Sequence, residues 1–313
     1  MDAEIEDRST TFVKAAEVWI PEGDVLRHAK GDYGDLQDFA LASARESFAR
    51  GEGLPGRAWA EGRAVILKDL DGSYFKRADL AREAGLTSAA AIPVFAGARL
   101  KAVLVLLFGG DHDHVGAVEL WRDHGDALRL EDGYYGAAAP FEEVSRRTVF
   151  APGQGLPGGV LAARTPILLR DLGARHGFLR AESAGAAGLR TGLGLPVPGP
   201  GGTEVLTLLS APDTPLARRF EIWDARPERV GAHRRALRID GICEREGPLW
   251  PRENPPVDAV CVSAWQGPVG QVLGSGLPHV QGRGAGLPAG YGMMIALPIY
   301  HDTELAHVVA WYL

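Results

Sequence analysis

Three clusters of residues in this chain have the types and spacing for chemistry. Gly51, Gly53 and Gly56, within Phe48-Ala-Arg-Gly-Glu-Gly-Leu-Pro-Gly-Arg-Ala-Trp59, match G-x-G-x-x-G, a pattern that cradles a pyrophosphate where a strand leads in and a helix leads out. Asp111-His112-Asp113-His114 alternates carboxylate and imidazole, both of them metal ligands, but no set with the usual zinc spacing accompanies it. Cys243 and Cys261 are the only thiols and the only candidates for cysteine redox chemistry. Each has an ordinary reading beside the chemical one: a tight turn, a polar linker, and an inert thiol buried in the apolar run Ala259-Val-Cys-Val-Ser-Ala-Trp265. No G-x-S-x-G, H-E-x-x-H or Walker pattern occurs, and no nucleophile–base pair stands out. No catalytic residue and no metal site is therefore expected, and no cofactor is named.

The glycine cluster has an internal control. Phe150-Ala-Pro-Gly-Gln-Gly-Leu-Pro-Gly-Gly-Val-Leu161 repeats it 102 residues on, with Gly153, Gly155 and Gly158 in the same places. The repeat extends well beyond the glycines. Glu17-Val18-Trp19 returns as Glu119-Leu120-Trp121 and as Glu221-Ile222-Trp223. Ile92-Pro93-Val94 returns as Leu195-Pro196-Val197 and Leu297-Pro298-Ile299. The chain thus reads as three copies, 1–110, 111–211 and 212–313. The third is degenerate: Gly267-Pro-Val-Gly270 replaces Gly-Leu-Pro-Gly, and the segment matching 76–84 is gone.

The elements that position these residues follow from the pattern of each copy. A hairpin turns at Gly23-Asp24. A helix over 35–48 sets Leu36, Phe39, Ala40, Ala44 and Phe48 near one face. The glycine turn feeds a short helix, with Pro55 in its first turn where a missing N–H costs nothing. A strand ending at Asp69-Leu70, a helix stopped by Gly85 and two apolar strands complete the copy. A helix and not a strand precedes Gly51, so a dinucleotide site is not the reading; a tight turn or an anion cradle at the helix N-terminus remains. This order makes an α+β fold, with helices on one face of a largely antiparallel sheet. The last strand, 102–108, is apolar at every position, so it should be covered on both faces. The back of each sheet is therefore expected to pack on a neighbouring copy or on a second chain.

Composition narrows the class. Of the 313 residues 46% are hydrophobic and 23% charged, and the formal net charge is −7, which argues against nucleic acid or an anionic membrane as partner. No secretory h-region and no apolar run of membrane-spanning length is visible, and two cysteines make no disulfide framework; a cytoplasmic protein is expected.

Taken together, G-x-G-L-P-G-R-x-W, the Asp-Leu strand end, Arg77-Ala78 followed by Ala84-Gly85-Leu86, and Ile92-Pro93-Val94 before an apolar strand resemble a GAF domain of the type in bacterial sensor histidine kinases. The resemblance covers nearly all of the first two copies and parts of the third. It implies three tandem GAF-like (PAS/GAF-type) domains forming a non-enzymatic small-molecule sensor or regulatory protein that signals through a separate effector protein. The alternatives are a ligand-free interaction scaffold and a redox enzyme like the free methionine sulfoxide reductases, which need cysteines in a pocket. The resemblance puts the pocket between the sheet, the helix after Gly-Leu-Pro-Gly and the loop after Asp-Leu. The ligand candidates are then Tyr33, Trp59, Lys68, Arg77, Ser88, Tyr135, Arg170, His176 and Arg180, cations and aromatics that suit a small anion or carboxylate. Helices that cover the sheet back in this family have no room here, and a homo-oligomer is one way to cover it.

Overall fold

The computed structural model describes residues 11–110, 114–173, 178–212, 214–227, 234–249, 260–284 and 287–313. The first sheet is built from β1 (Val13–Glu22), β2 (Val25–Asp32), β3 (Ser47–Ala49), β4 (Val65–Leu67), β5 (Leu86–Ala96) and β6 (Arg99–Gly109), with helices α1 (Gln37–Arg45), α2 (Gly53–Glu61) and α3 (Ala78–Glu83) between them. The second repeats the plan with β7 (Val115–Asp123), β8 (Leu128–Gly136), β9 (Val149–Phe150), β10 (Ile167–Leu169), β11 (Thr191–Gly199) and β12 (Gly202–Ser210), and with α4 (Ala139–Arg147), α5 (Gly155–Ala163) and α6 (Ala181–Ala186). The third has β13 (Arg219–Asp224), β14 (Arg235–Cys243), β15 (Gly247–Pro248), β16 (Cys261–Ser263), β17 (His279–Gly282), β18 (Met293–His301) and β19 (Glu304–Tyr312), with α7 (Gly267–Ser275).

All pairings are antiparallel, and the three strand orders correspond: β3-β2-β1-β6-β5-β4, β9-β8-β7-β12-β11-β10 and β15-β14-β13-β19-β18-β17, with β16 added to β14. The same register shift falls before each repeated tryptophan, at Val18/Trp19, Leu120/Trp121 and Ile222/Trp223. A bulge in one strand bends it and re-aims the side chain that follows. The helix expected over 35–48 is shorter. It ends at Arg45, Glu46 turns extended, and Phe48 sits on edge strand β3 with its ring over Trp19.

Strand alternation gives each sheet two apolar faces. One face packs under its own helices in three separate cores, around Trp19, Trp121 and Trp223. The other face contributes to a single core shared by all three sheets, in which Val18, Leu104 and Leu106 join Leu120, Leu206 and Leu208, and Ile222, Leu297 and Val309. The expectation that each sheet back packs on neighbouring copies therefore holds within one chain. The motifs Ile92-Pro93-Val94, Pro196-Val197 and Leu297-Pro298-Ile299 meet at one point of this core.

The three units touch head to tail and close into a ring. Edge strand β4 lies beside β8, and edge strand β17 beside β2. Arg170, just past β10, pairs with Asp240 of β14 and donates to Gly241 O at 3.0 Å. Lys68 Nζ reaches Asp132 of β8 at 2.8 Å, and Lys30 Nζ meets His279 Nε2 at 3.2 Å at the closing contact. Heterologous contacts of this kind form rings when the rotation closes; here three sheets of one chain close it.

Candidate functional site

The alternation of β1 puts Glu17 and Trp19, two residues apart, on the same helix-covered face. Glu17 is fully buried, and its carboxylate is surrounded by donors. Trp19 Nε1 donates to Oε2 at 2.9 Å, Tyr33 OH to Oε1 at 3.1 Å, and Arg77 forks onto both oxygens at 2.5 and 3.0 Å. Arg77 is the N-cap residue of α3 and turns its side chain inward, where it is 2% exposed and also donates to Ser43 Oγ. Four rings enclose its guanidinium: Phe39 at 4.7 Å, Phe75 at 5.1 Å, Trp19 at 5.5 Å and Phe48 at 5.9 Å. Cations sit favourably over such ring faces.

The second unit repeats the arginine–glutamate arrangement. Arg180, the N-cap of α6 and 1% exposed, forks onto Glu119 at 2.5 and 2.9 Å and donates to Ser145 Oγ at 2.5 Å. Trp121 Nε1 and Tyr135 OH donate to the same carboxylate at 3.1 Å each, and Thr207 Oγ1 adds a bond at 2.8 Å. Phe141, Phe178, Trp121 and Phe150 ring the guanidinium at 4.7–5.6 Å. Burial alone would raise the pKa of Glu17 and Glu119. The opposing charge of Arg77 or Arg180 and the converging donors hold both below the ordinary carboxylate value. Burial and the neighbouring carboxylate push Tyr33 and Tyr135 far up, so both stay protonated donors.

The third unit keeps the glutamate and tryptophan and changes the cation. Trp223 Nε1 donates to Glu221 at 3.1 Å. With the segment that carried Arg77 and Arg180 lost, two other arginines converge. Arg219, two residues before Glu221, donates at 2.6 and 2.9 Å, and Arg238 of β14 at 3.2 Å. Tyr312 OH completes the set at 3.1 Å. These arginines are 14% and 17% exposed, against 1–2% for Arg77 and Arg180, so this site lies nearer solvent, and Arg219 also reaches Glu246 at 3.4 Å.

Of the ligand candidates marked in the sequence, the structure brings together Tyr33 with Arg77, and Tyr135 with Arg180, each pair around a buried glutamate. Trp59 packs at the margin of the same core, whereas Ser88, buried with its hydroxyl unpartnered, stands opposite Phe108 of β6, and strand alternation turns it to the shared core on the other face of the sheet and not to the pocket. Lys68 and Arg170 lie elsewhere: both reach outward to the next unit, because the strand ends that carry them are edges. His176 lies outside the described residues, as do 111–113 of the Asp-His-Asp-His run. Among the described residues no group of three His, Cys, Asp or Glu side chains could hold a metal. Cys243 is buried and meets Tyr291 OH at 3.3 Å, whereas Cys261, expected as a buried thiol, is exposed. Cys261 pairs with Leu237, six positions along β14 from Cys243, which separates the thiols by about 20 Å. They do not share a redox centre.

The G-x-G-x-x-G cluster resolves into backbone needs. Gly51 and Gly53 have φ of 88° and 57°, and the N–H of Gly51 bonds Gly56 O at 2.8 Å. A Cβ on Gly56 would lie 2.2 Å from Ala49 O; on Gly158, 2.2 Å from Ala151 O; on Gly270, 2.4 Å from Ser263 O. The third glycine lets helix and edge strand touch. Gly158→Ala is accordingly expected to lower stability by about 1–3 kcal/mol in a chemical melt; an unchanged midpoint would show that this approach is not the reason for the glycine.

Residues 7–120 match the family model described as GAF domain, and that stretch belongs to the GAF domain family. A search of curated proteins finds no match. Among solved structures the chain is similar to a GAF domain of A. aeolicus NLH2 in an inactive state (23% identity, 31% of this chain and 58% of that one, TM-score 0.26). It is also similar to free methionine-R-sulfoxide reductase from Neisseria meningitidis in complex with its substrate (21%, 31% and 52%, 0.25). A third is NreA of Staphylococcus aureus mutated in its nitrate binding site (16%, 33% and 79%, 0.27). The matched stretch spans little more than half of the first two.

Among the described residues no helix is long and apolar enough to cross a membrane.

Proposed function

We propose that this protein is a non-enzymatic regulatory module of three GAF domains, 1–110, 111–211 and 212–313, that acts through its outer surfaces on a separate effector protein. In the first two domains an arginine of the chain itself serves as the bound cation. The observation that carries this reading is the caged pair Arg77–Glu17 and its copy Arg180–Glu119: each guanidinium is neutralised and forked within the chain and enclosed by aromatic faces, with only its Nε left without a hydrogen-bond partner. A carboxylate that is already forked by a buried arginine has little to offer a passing ligand. Native mass spectrometry of the purified protein, beside the same sample denatured, tests it. The bare chain mass in both is the expected result; added mass that leaves on denaturation would point to a resident small molecule instead.

One observation favours a second reading, a small-molecule sensor. In the third domain Glu221 faces two partly exposed arginines, Arg219 and Arg238, of which Arg219 also reaches Glu246 at 3.4 Å, so the fork beside Tyr312 and Trp223 is open to solvent where those of the first two domains are closed. A small carboxylate or other anion suits such a fork. Under this reading calorimetric titration with simple carboxylates and nitrate gives binding that Arg238→Met abolishes, while Arg77→Lys leaves it in place.

A further inference from the structure

We propose that the rim of the third unit around Trp265 is a docking surface for an acidic peptide segment of a partner protein, one that carries an apolar side chain among its carboxylates. The proposal rests on the reading that the chain works through another protein. It lies outside the Glu–Arg sites, so its failure and a failure of the native-mass test are separate results.

The first observation is an internal comparison. Trp265 occupies the place of Gly51 and Gly153 in the turn before the helix. Its N–H makes the same bond, to Gly270 O at 2.6 Å, as theirs make to Gly56 O and Gly158 O at 2.8 Å each. Its φ is +70°, beside +88° and +81° for the glycines. Left-handed backbone is costly for a bulky side chain and free for glycine. The sister turns show that glycine serves this geometry, so the strain at Trp265 is not required by the turn. Strain retained where the fold does not need it points to use. The indole is also 62% exposed, the most exposed of the large apolar side chains among the described residues. The ring lies against Gly274, where a Cβ would come within 2.3–2.6 Å of it.

The second observation is charge. Arg234 donates to Gly274 O at 3.0 Å, directly beside the indole. From there a cleft of about 430 Å³ opens, lined by Arg234, Arg235 and Lys101 over Tyr300, with Glu304 as the one acid among its described lining residues. None of the three cations has a carboxylate partner among the described residues. In a chain of net charge −7 this is a local reversal, and it complements carboxylates. A tryptophan beside arginines is also the composition that concentrates binding energy at interfaces.

A random-peptide phage selection on the intact chain, followed by fluorescence anisotropy of the enriched peptides, tests the proposal. Enriched sequences should combine acidic residues with a large apolar one. Binding should weaken at least about tenfold in Trp265→Asn, which keeps a residue tolerant of left-handed backbone, and likewise in the double variant Arg234→Glu, Arg235→Glu. Both variants should retain the cooperative melt of the parent. No enrichment, enrichment without acidic bias, or equal binding to Trp265→Asn would overturn the proposal. So would full displacement by inorganic phosphate alone, which would make the cleft a small-anion site.

Discussion

Arg180→Met is expected to destabilise the folded chain by about 3–5 kcal/mol, the usual cost of leaving a buried charge without its partner. Glu119 is 0% exposed and has no solvent to turn to. With the guanidinium gone, its carboxylate keeps only the donors from Trp121, Tyr135 and Thr207. Adding Glu119→Gln should recover most of the loss, because the costly element is the unpaired charge and not the missing bond. Urea unfolding of the two single variants and the double variant closes the cycle. A pH series adds a second reading. The pKa of Glu119 is lowered in the folded state, so the stability it contributes is present above the unfolded carboxylate value of about 4.5 and is lost as pH falls through the lower folded value. In Arg180→Met burial is left to raise the pKa of Glu119 above its unfolded value, so protonation relieves the unpaired charge and the gap in stability between parent and variant should narrow as pH falls. In the third unit the equivalent change, Arg219→Met, should cost less, since Arg238 stays on Glu221 and the site is partly hydrated.

The second large effect is expected at the shared core. Phe108 of β6 stacks on Tyr134 of β8 at 5.4 Å and 12°, and Phe12 is tilted against both at 5.3 and 5.4 Å. These rings join the first unit to the second. Phe108→Ala removes a side chain with 0% exposure and should cost about 3–5 kcal/mol. Its distinguishing signature is cooperativity. Three sheets with one common core should melt in a single calorimetric transition, and a cavity at a junction should separate the first unit from the other two. A parent that already melts in three independent steps, with Phe108→Ala shifting only one of them, would contradict the closed ring.

Much of this architecture is legible in the chain itself, and the reasons differ between elements. The repeated Glu-x-Trp is visible as a string, and alternation on one strand places both side chains on one face. The all-apolar strand at 102–108 implies a sheet covered on both sides. Arg77 and Arg180 can be marked as pocket residues, but their partners stand out less: Glu17 and Glu119 are conspicuous only as neighbours of the tryptophan. A signal for the pairing does exist, because Ser43 and Ser145 also recur 102 residues apart on otherwise apolar helix faces, and polar residues kept in register in an apolar layer imply a common buried partner. Lys68 and Arg170 defeat a pocket assignment because a cation just past a short edge strand can turn inward or outward. Ring closure decides which, and it depends on contacts between units that no single copy contains. The substitution of Trp265 for a turn glycine is concealed by the ten-residue offset of the third copy.

Whether the arginine fills the ligand position of its own domain is tested most directly by complementation. Arg77→Ala leaves Glu17 and the rings of Phe39, Phe75, Trp19 and Phe48 facing an emptied cage. Ethylguanidinium replaces the atoms removed. At millimolar concentration it should raise the thermal midpoint of Arg77→Ala in proportion to the logarithm of its concentration, with no effect on the parent and none from ethylurea, which lacks the charge. Equal shifts in parent and variant, or no shift in the variant, would contradict that role for the arginine.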